Sequence, residues 1–274
     1  MAKLVIGTIV GLKAEPRQQI QKVVDLGLRS CQVVSWDPTV WTDQAGHRLT
    51  EVTQELGVKV SSFWSGYPGP KAWNFLDGPR TIGLVPPEYR AERVEALKKA
   101  AEFAAKFKLG SITTHVGFIP EDPRDGLFEG AVEALKQVAG RCGELGLEFR
   151  FETGQETPVT LLRTIERIGM DNLGINLDPA NLILYGKANP VDALDVFGRY
   201  VREVHAKDGL YPTDGTKLGK EAPLGEGKVN FPVLIPKLKA MGFSGALTIE
   251  REIKEGEQQM RDIRKAIDLL TPLC

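Results

Sequence analysis

The sequence predicts a (β/α)8 barrel, the TIM-barrel fold, formed by a single domain over residues 1–274. Eight short apolar stretches alternate strictly with stretches of helical periodicity, a pattern that favours a parallel sheet. Glycine recurs where each helix returns to the next strand, as in DLGL, ELGV, FKLG, ELGL and MGFSG. The chain length also fits one closed barrel, which typically takes about 250 residues.

The first half of the chain supplies four strand–helix units. Pro16 suits the start of a helix that runs through QQIQKVVDLGL to Gly27, and Pro87 suits the start of a helix that ends near Gly110. Two further helices are predicted at 41–56 and at about 125–145. The four strands are predicted at Leu4–Val10, Cys31–Trp36, Val58–Trp64 and Ser111–Val116.

The second half repeats this alternation four more times. Strands are predicted at Leu147–Glu152, Asn172–Asp178, Val201–Lys207 and Gly245–Glu250, with helices near 158–168, 190–199, 231–241 and 256–270. An open doubly wound sheet is the alternative, but it calls for a glycine-rich phosphate loop after the first strand. The segment TIVGLKAEP at that position contains no G-x-G-x-x-G.

One connection is too long for an ordinary turn between strand and helix. Ser65–Pro86 is rich in Gly, Pro and aromatic residues, and long loops in compact domains are usually functional. We expect it to act as a lid over the carboxyl-terminal mouth of the barrel. The alternative is that its aromatic residues serve a subunit interface in a homo-oligomer.

Composition excludes several classes of partner. The net charge is −1 and no cluster of Lys and Arg is present, which argues against a nucleic-acid or membrane partner. No apolar run approaches the 18 residues of a membrane span, and the N-terminus resembles a first strand more than a signal peptide. Three cysteines without a CxxC pattern fit a reduced, cytoplasmic protein.

Four predicted strands end in a side chain that can bind a metal. LGLEFRFE ends in Glu152, LGINLD in Asp178 and GALTIE in Glu250, while VREVHAKD carries His205. In a barrel these ends surround the carboxyl-terminal mouth, where such enzymes keep their active sites. Three carboxylates and one imidazole favour Mn²⁺, with Mg²⁺, Co²⁺ or Zn²⁺ as alternatives.

The alternation of side chains along these strands supports the same arrangement. If the four terminal residues point inward, the outward residues are all apolar, as a face covered by helices requires. The inward residues one step below are polar: Arg150, Asn176, Glu203 and Thr248. Strands five and seven contribute to one interior layer, so Arg150 and Glu203 are predicted to form a buried pair.

Other residues at the predicted mouth are candidates for substrate binding. His115 ends strand four, and the alternative is a structural hydrogen bond. Lys207 could bind a substrate oxygen or pair with Asp208 or Glu203. Trp36 and Trp64 are predicted to form an aromatic wall for the apolar face of a substrate. Whether the substrate is phosphorylated stays open, since Lys228 lies near the usual phosphate site without other cations nearby.

The segments FETG, NLDPAN, VHAKD, LGEGKVNF and TIE resemble the sugar phosphate isomerase/epimerase family of xylose-isomerase-like barrels. The resemblance implies that Glu152, Asp178, His205 and Glu250 hold one divalent metal, and that Glu152 and Glu250 also move protons. The endonucleases and many ketose epimerases of this superfamily carry a histidine three residues after the aspartate. Here that position is Asn181, a further candidate for substrate binding.

The resemblance predicts a metal-dependent isomerase or epimerase acting on a sugar, a sugar phosphate or an inosose. A carboxylate would remove a proton beside a carbonyl to give an enediolate, and return of the proton would give an epimer or an aldose–ketose exchange. A dehydratase, a non-catalytic carbohydrate-binding barrel and, with less support, an abasic-site endonuclease are the alternatives.

Overall fold

Eight parallel strands close into a barrel in which each strand pairs with its sequence neighbour and the last with the first. The computed structural model describes residues 3–274, so residues 1–2 of the predicted domain lie outside it. The predicted (β/α)8 fold is confirmed. The barrel strands are β1 (Val5–Gly11), β2 (Ser30–Ser35), β3 (Lys59–Ser65), β4 (Ser111–His115), β5 (Glu148–Glu152), β6 (Leu173–Leu177), β7 (Val201–Ala206) and β10 (Ala246–Ile249).

Helices cover the outside of this barrel. Gly57 and Gly169 end α2 and α6 in the left-handed conformation, with φ of 63° and 69°, as the recurring helix–glycine pattern predicts. The helices are α1 (Arg17–Asp25), α2 (Asp43–Leu56), α3 (Gly78–Thr81), α4 (Pro87–Lys106), α5 (Gly126–Glu144), α6 (Pro158–Ile168), α7 (Pro179–Leu184), α8 (Pro190–Phe197), α9 (Phe231–Ala240) and α10 (Glu257–Leu270).

Short elements at the mouth of the barrel were not predicted. These are α3 within the long loop, α7 directly after β6, and a hairpin of β8 (Asp208–Leu210) and β9 (Lys220–Ala222). Each is six residues or fewer, too short for a periodic pattern to identify. Within residues 3–274 no helix is both long enough and apolar enough to cross a bilayer.

The predicted division of side chains between the two faces of the strands is confirmed. The outward residues Phe149, Phe151, Ile175 and Leu177 are fully buried under the helices. On the inside, Arg150 Nη1 donates to Glu203 Oε2 at 2.9 Å, the predicted pair. Glu203 Oε1 also accepts a hydrogen bond of 2.7 Å from the Thr248 hydroxyl. Arg150, Glu203 and Thr248 therefore form a hydrogen-bonded group inside the barrel below the four strand ends, while Asn176, the fourth inward residue, is buried without a partner for its side-chain amide among the described residues.

Loss of Glu203 should destabilise the barrel strongly. Glu203→Leu leaves the Arg150 guanidinium and the Thr248 hydroxyl without a buried acceptor, and we expect the free energy of unfolding to fall by about 3 kcal/mol. Denaturant unfolding measures this. Glu148→Gln is the matched control, because Glu148 also binds Arg150 but its side chain is 37% exposed; it should cost less than about 1 kcal/mol. Equal losses in both variants would contradict the buried layer.

Candidate metal centre and substrate cavity

The structure brings Glu152, Asp178, His205 and Glu250 together. Each lies at or directly after the carboxyl end of its strand, and one ligand atom of each lies within 4.8 Å of the others. All four side chains are buried, and the least buried, Glu250, is 5% exposed. The prediction that four distant strand ends converge on one point is therefore met by the geometry.

His205 occupies the centre of this group. Its Nδ1 lies 2.9 Å from Glu152 Oε1 and 2.9 Å from Glu250 Oε2. Its Nε2 lies 2.7 Å from the side-chain oxygen of Gln32. Because the Gln32 oxygen can only accept, this contact requires a proton on Nε2. In a neutral imidazole Nδ1 would then carry no proton and could bind a cation.

The polar atoms of this group fit a divalent cation. Among the described residues, both oxygens of Glu152, Oδ2 of Asp178, Oε2 of Glu250 and Nδ1 of His205 make no hydrogen bond of proper geometry, even though Nδ1 lies 2.9 Å from an oxygen of each glutamate. Burial raises the pKa of Glu152 to about 8 and that of Asp178 to about 7, although the cations beside them oppose this. Without a positive ion, keeping these buried carboxylates charged costs free energy. Divalent cations bind donor sets that are rich in oxygen, such as this one. The group is a candidate divalent metal site.

Two residues that sequence reasoning missed fix this group in place. Gln32, fully buried on β2, contacts His205 as described. The hydroxyl of Thr153 accepts a hydrogen bond from the Asp178 backbone N–H and donates one to its carbonyl, both at 2.9 Å. Asp178 in turn caps α7 by accepting from the backbone N–H of Asn181 at 2.9 Å. The only signal in the sequence was a polar residue, Gln32, inside the apolar run CQVVSW.

Lys207 lies beside the candidate metal site. Its Nζ is 2.5 Å from Glu252 and 3.5 Å from both Asp178 and Glu250, with the side-chain oxygen of Asn181 at 3.4 Å. The alternative prediction, a pair with Asp208 or Glu203, is wrong. Asp208 points away into the following loop, where its carboxylate accepts hydrogen bonds from the backbone, and Glu203 is bound to Arg150.

A cavity of about 270 Å³ opens above this group. Its wall includes every residue predicted to bind substrate. Two of them, Lys207 and His115, also lie next to the carboxylates below, and His115 Nε2 is 3.6 Å from Glu152 Oε1. Burial lowers the pKa of His115 to about 3, so this imidazole is neutral. The lining residues are Trp36, Trp64, Lys71, Trp73, His115, Gln155, Asn181, Leu184, Tyr185, Lys207, Leu218 and Glu252.

Aromatic rings form one wall of the cavity. The ring of Trp73 lies 4.8 Å from that of His115 and 5.7 Å from that of Trp36, both in edge-on geometry. The ring of Trp64 lies 5.0 Å from that of His205. Trp73, from the long loop, therefore reaches over the cavity as a lid would.

The base of the long loop is firmly held. Arg93, fully buried on α4, donates to the backbone carbonyls of Pro68, Pro70 and Gly83. Tyr67, an aromatic residue of this loop, is fully buried, and its hydroxyl accepts from the Gly83 N–H at 2.8 Å. Movement of the lid stays a prediction, and these contacts restrict it to the segment around Trp73.

Residues 20–273 match the model of a family described as xylose isomerase-like TIM barrel. The crystal structure of a xylose isomerase domain protein from Planctomyces limnophilus is 34% identical, with a TM-score of 0.93 over 99% of this chain and 98% of that one. A D-tagatose 3-epimerase-like protein is 21% identical, with a TM-score of 0.74 over 98% and 97% of the two chains.

A curated relative covers less of the chain. The uncharacterized protein MJ1311 of Methanocaldococcus jannaschii is 29% identical over 189 residues, which are 65% of this chain. The match spans 60% of that protein's own length.

Replacing Gln32 should weaken metal binding. Gln32→Met removes the acceptor that orients the His205 ring, and such outer contacts typically contribute 10- to 100-fold to metal affinity. Calorimetric titration of the metal-free protein with Mn²⁺ would measure the loss. Gln54→Met, at an exposed position of α2, is the control and should bind as the unaltered protein does. Unchanged affinity in Gln32→Met would show that His205 needs no such orientation.

Proposed function

The chain belongs to the xylose isomerase-like TIM barrel family, and we propose that it is a divalent-metal-dependent isomerase or epimerase of sugars. In this proposal Glu152, Asp178, His205 and Glu250 hold the metal, and Glu152 and Glu250 also transfer protons. Mn²⁺ is the ion we expect, because the donor set is rich in oxygen. The substrate occupies the cavity above the four residues.

One observation carries the proposal: Glu152 and Glu250 come from two separate strands, β5 and β10, and converge on a common centre. Each has an oxygen 2.9 Å from His205 Nδ1, and both are buried beneath the cavity. Two carboxylates placed in this way can remove a proton from one carbon and return a proton from another direction. That is the chemical requirement of both epimerisation and aldose–ketose exchange.

A divalent cation, when bound, would polarise a carbonyl and a neighbouring hydroxyl of the sugar and so acidify the C–H bond between them. One of the two glutamates takes that proton, and the other, or the same one, returns a proton to the enediolate. In this proposal Lys207, whose Nζ lies 3.5 Å from Asp178 and Glu250, binds a sugar oxygen. The wall of Trp36, Trp64 and Trp73 keeps water away from the reacting carbon.

Proton exchange with solvent tests this chemistry directly. In D₂O, the manganese-loaded protein should introduce deuterium beside the carbonyl of a ketose, aldose or inosose substrate, observed by NMR or mass spectrometry. Glu152→Gln and Glu250→Gln should each slow the exchange at least about 100-fold at saturating Mn²⁺. Glu95→Gln, whose side chain lies 65% exposed on α4, is the matched control and should leave the rate unchanged.

The products and the variants separate the alternatives. Exchange accompanied by loss of water would identify a dehydratase. Binding of a sugar without exchange in the unaltered protein would identify a carbohydrate-binding barrel, and cleavage of abasic-site DNA an endonuclease. Full exchange in either glutamine variant would contradict the assigned proton transfer.

A further inference from the structure

The side chain of Gln155 lines the cavity, and the structure gives it no hydrogen bond that would stabilise the fold. Gln155 follows β5, is 1% exposed, and belongs to the cavity wall together with His115, Asn181 and Tyr185. Neither its side-chain nitrogen nor its side-chain oxygen makes a hydrogen bond of proper distance and angle among the residues described, although His115 and Tyr185 lie close enough for the amide to influence the pKa of each. Because both atoms are unpaired, this holds whichever way the amide is turned.

A buried amide without partners is unusual, since most buried polar groups in folded proteins are hydrogen-bonded. The amide of Gln155 can donate and accept at the same time, and a sugar hydroxyl can do the same. One hydroxyl, or two on neighbouring carbons, would satisfy both atoms. His115 offers a similar unpaired atom, Nδ1, in the same wall.

The two lysines that line the cavity, Lys71 and Lys207, are already hydrogen-bonded or paired with groups of the protein. Lys207 lies within 3.5 Å of Asp178, Glu250 and Glu252. Lys71 Nζ donates to the backbone carbonyls of Tyr67 and Gly69, at 3.0 and 2.8 Å. A phosphate or carboxylate entering the cavity would therefore find neutral groups and paired cations.

The backbone site that could bind an anion nearby is filled by the protein itself. The carboxylate of Asp208 accepts hydrogen bonds from the backbone N–H groups of Gly225, Gly227 and Val229, at 2.9, 3.1 and 3.1 Å. These groups belong to the loop after the hairpin, where a barrel commonly binds phosphate. With this carboxylate in place, the N–H groups are not available to a phosphorylated substrate.

We infer that Gln155 is a specificity-determining residue that binds a hydroxyl group of an uncharged sugar. The inference rests on the proposed function for the position of the sugar in the cavity, but it concerns binding and not proton transfer. It predicts that the unphosphorylated ketose binds better than its phosphate ester. It also predicts that removal of one particular hydroxyl weakens binding through Gln155.

The test compares the manganese-loaded protein with its Gln155→Met variant, which keeps the length of the side chain without its polar atoms. Calorimetric titration with D-fructose, D-tagatose, D-psicose, D-sorbose and an inosose identifies the tightest ligand of the unaltered protein. That ligand, its phosphate ester and its monodeoxy analogues are then titrated into both proteins. Gln137→Met, at an exposed position of α5, serves as the control.

We expect Gln155→Met to bind the chosen sugar about 10- to 100-fold more weakly, while Mn²⁺ affinity is unchanged. One deoxy analogue should bind the unaltered protein poorly and bind the variant as well as the parent sugar does. Without ligand, the variant should unfold at the same or a higher temperature, because a buried unpaired amide is lost. If Gln155 acted only in folding, the variant would unfold at a lower temperature and would still prefer the sugar that carries the same hydroxyl.

The inference is overturned if the variant discriminates among the deoxy analogues as the unaltered protein does, if the phosphate ester is the tighter ligand, or if none of the five sugars binds. Its failure is distinguishable from failure of the proposed function. Binding that depends on Gln155 without deuterium exchange would refute the catalytic proposal alone. Exchange that continues with unchanged affinity in Gln155→Met would refute the inference alone.

Discussion

The cost of burying three neighbouring carboxylates is the constraint on which the site depends. Glu152, Asp178 and Glu250 converge on one point that water does not reach. Without a metal ion, burial raises the pKa of Glu152 to about 8 and that of Asp178 to about 7. Burial also acts to raise the pKa of Glu250, but Lys207 and His205 outweigh it and lower that pKa to about 2. A divalent ion bound at this point would neutralise the repulsion among the carboxylates. The stability of the site is therefore linked to metal binding.

The interior of the barrel is built to support that point. Below it, Arg150, Glu203 and Thr248 form a hydrogen-bonded layer, so the polar strand ends rest on satisfied polar groups and not on an apolar core. Beside it, Gln32 and Thr153 hold His205 and Asp178 in position. Rigid support of this kind is what precise placement of a proton-transferring carboxylate requires.

Much of this could be predicted from sequence because a parallel barrel has a regular geometry. Strand ends of successive units meet at one mouth, so Glu152, Asp178, His205 and Glu250 were identifiable, and alternation along the strands predicted the Arg150–Glu203 pair. The contacts of Gln32, Thr153 and Arg93 were not predictable, since they depend on side-chain directions between segments far apart in the chain. The alternative partners named for Lys207, Asp208 and Glu203, were wrong for the same reason, because its partner Glu252 lies 45 residues away along the chain.

The central claim is that these four side chains bind one metal ion, and anomalous X-ray diffraction from crystals of the manganese-loaded protein tests it most directly. The account predicts a single strong manganese peak per chain within bonding distance of Glu152, Asp178, Glu250 and Nδ1 of His205. An ordered, empty group of side chains at saturating Mn²⁺, or a peak located elsewhere, would contradict it.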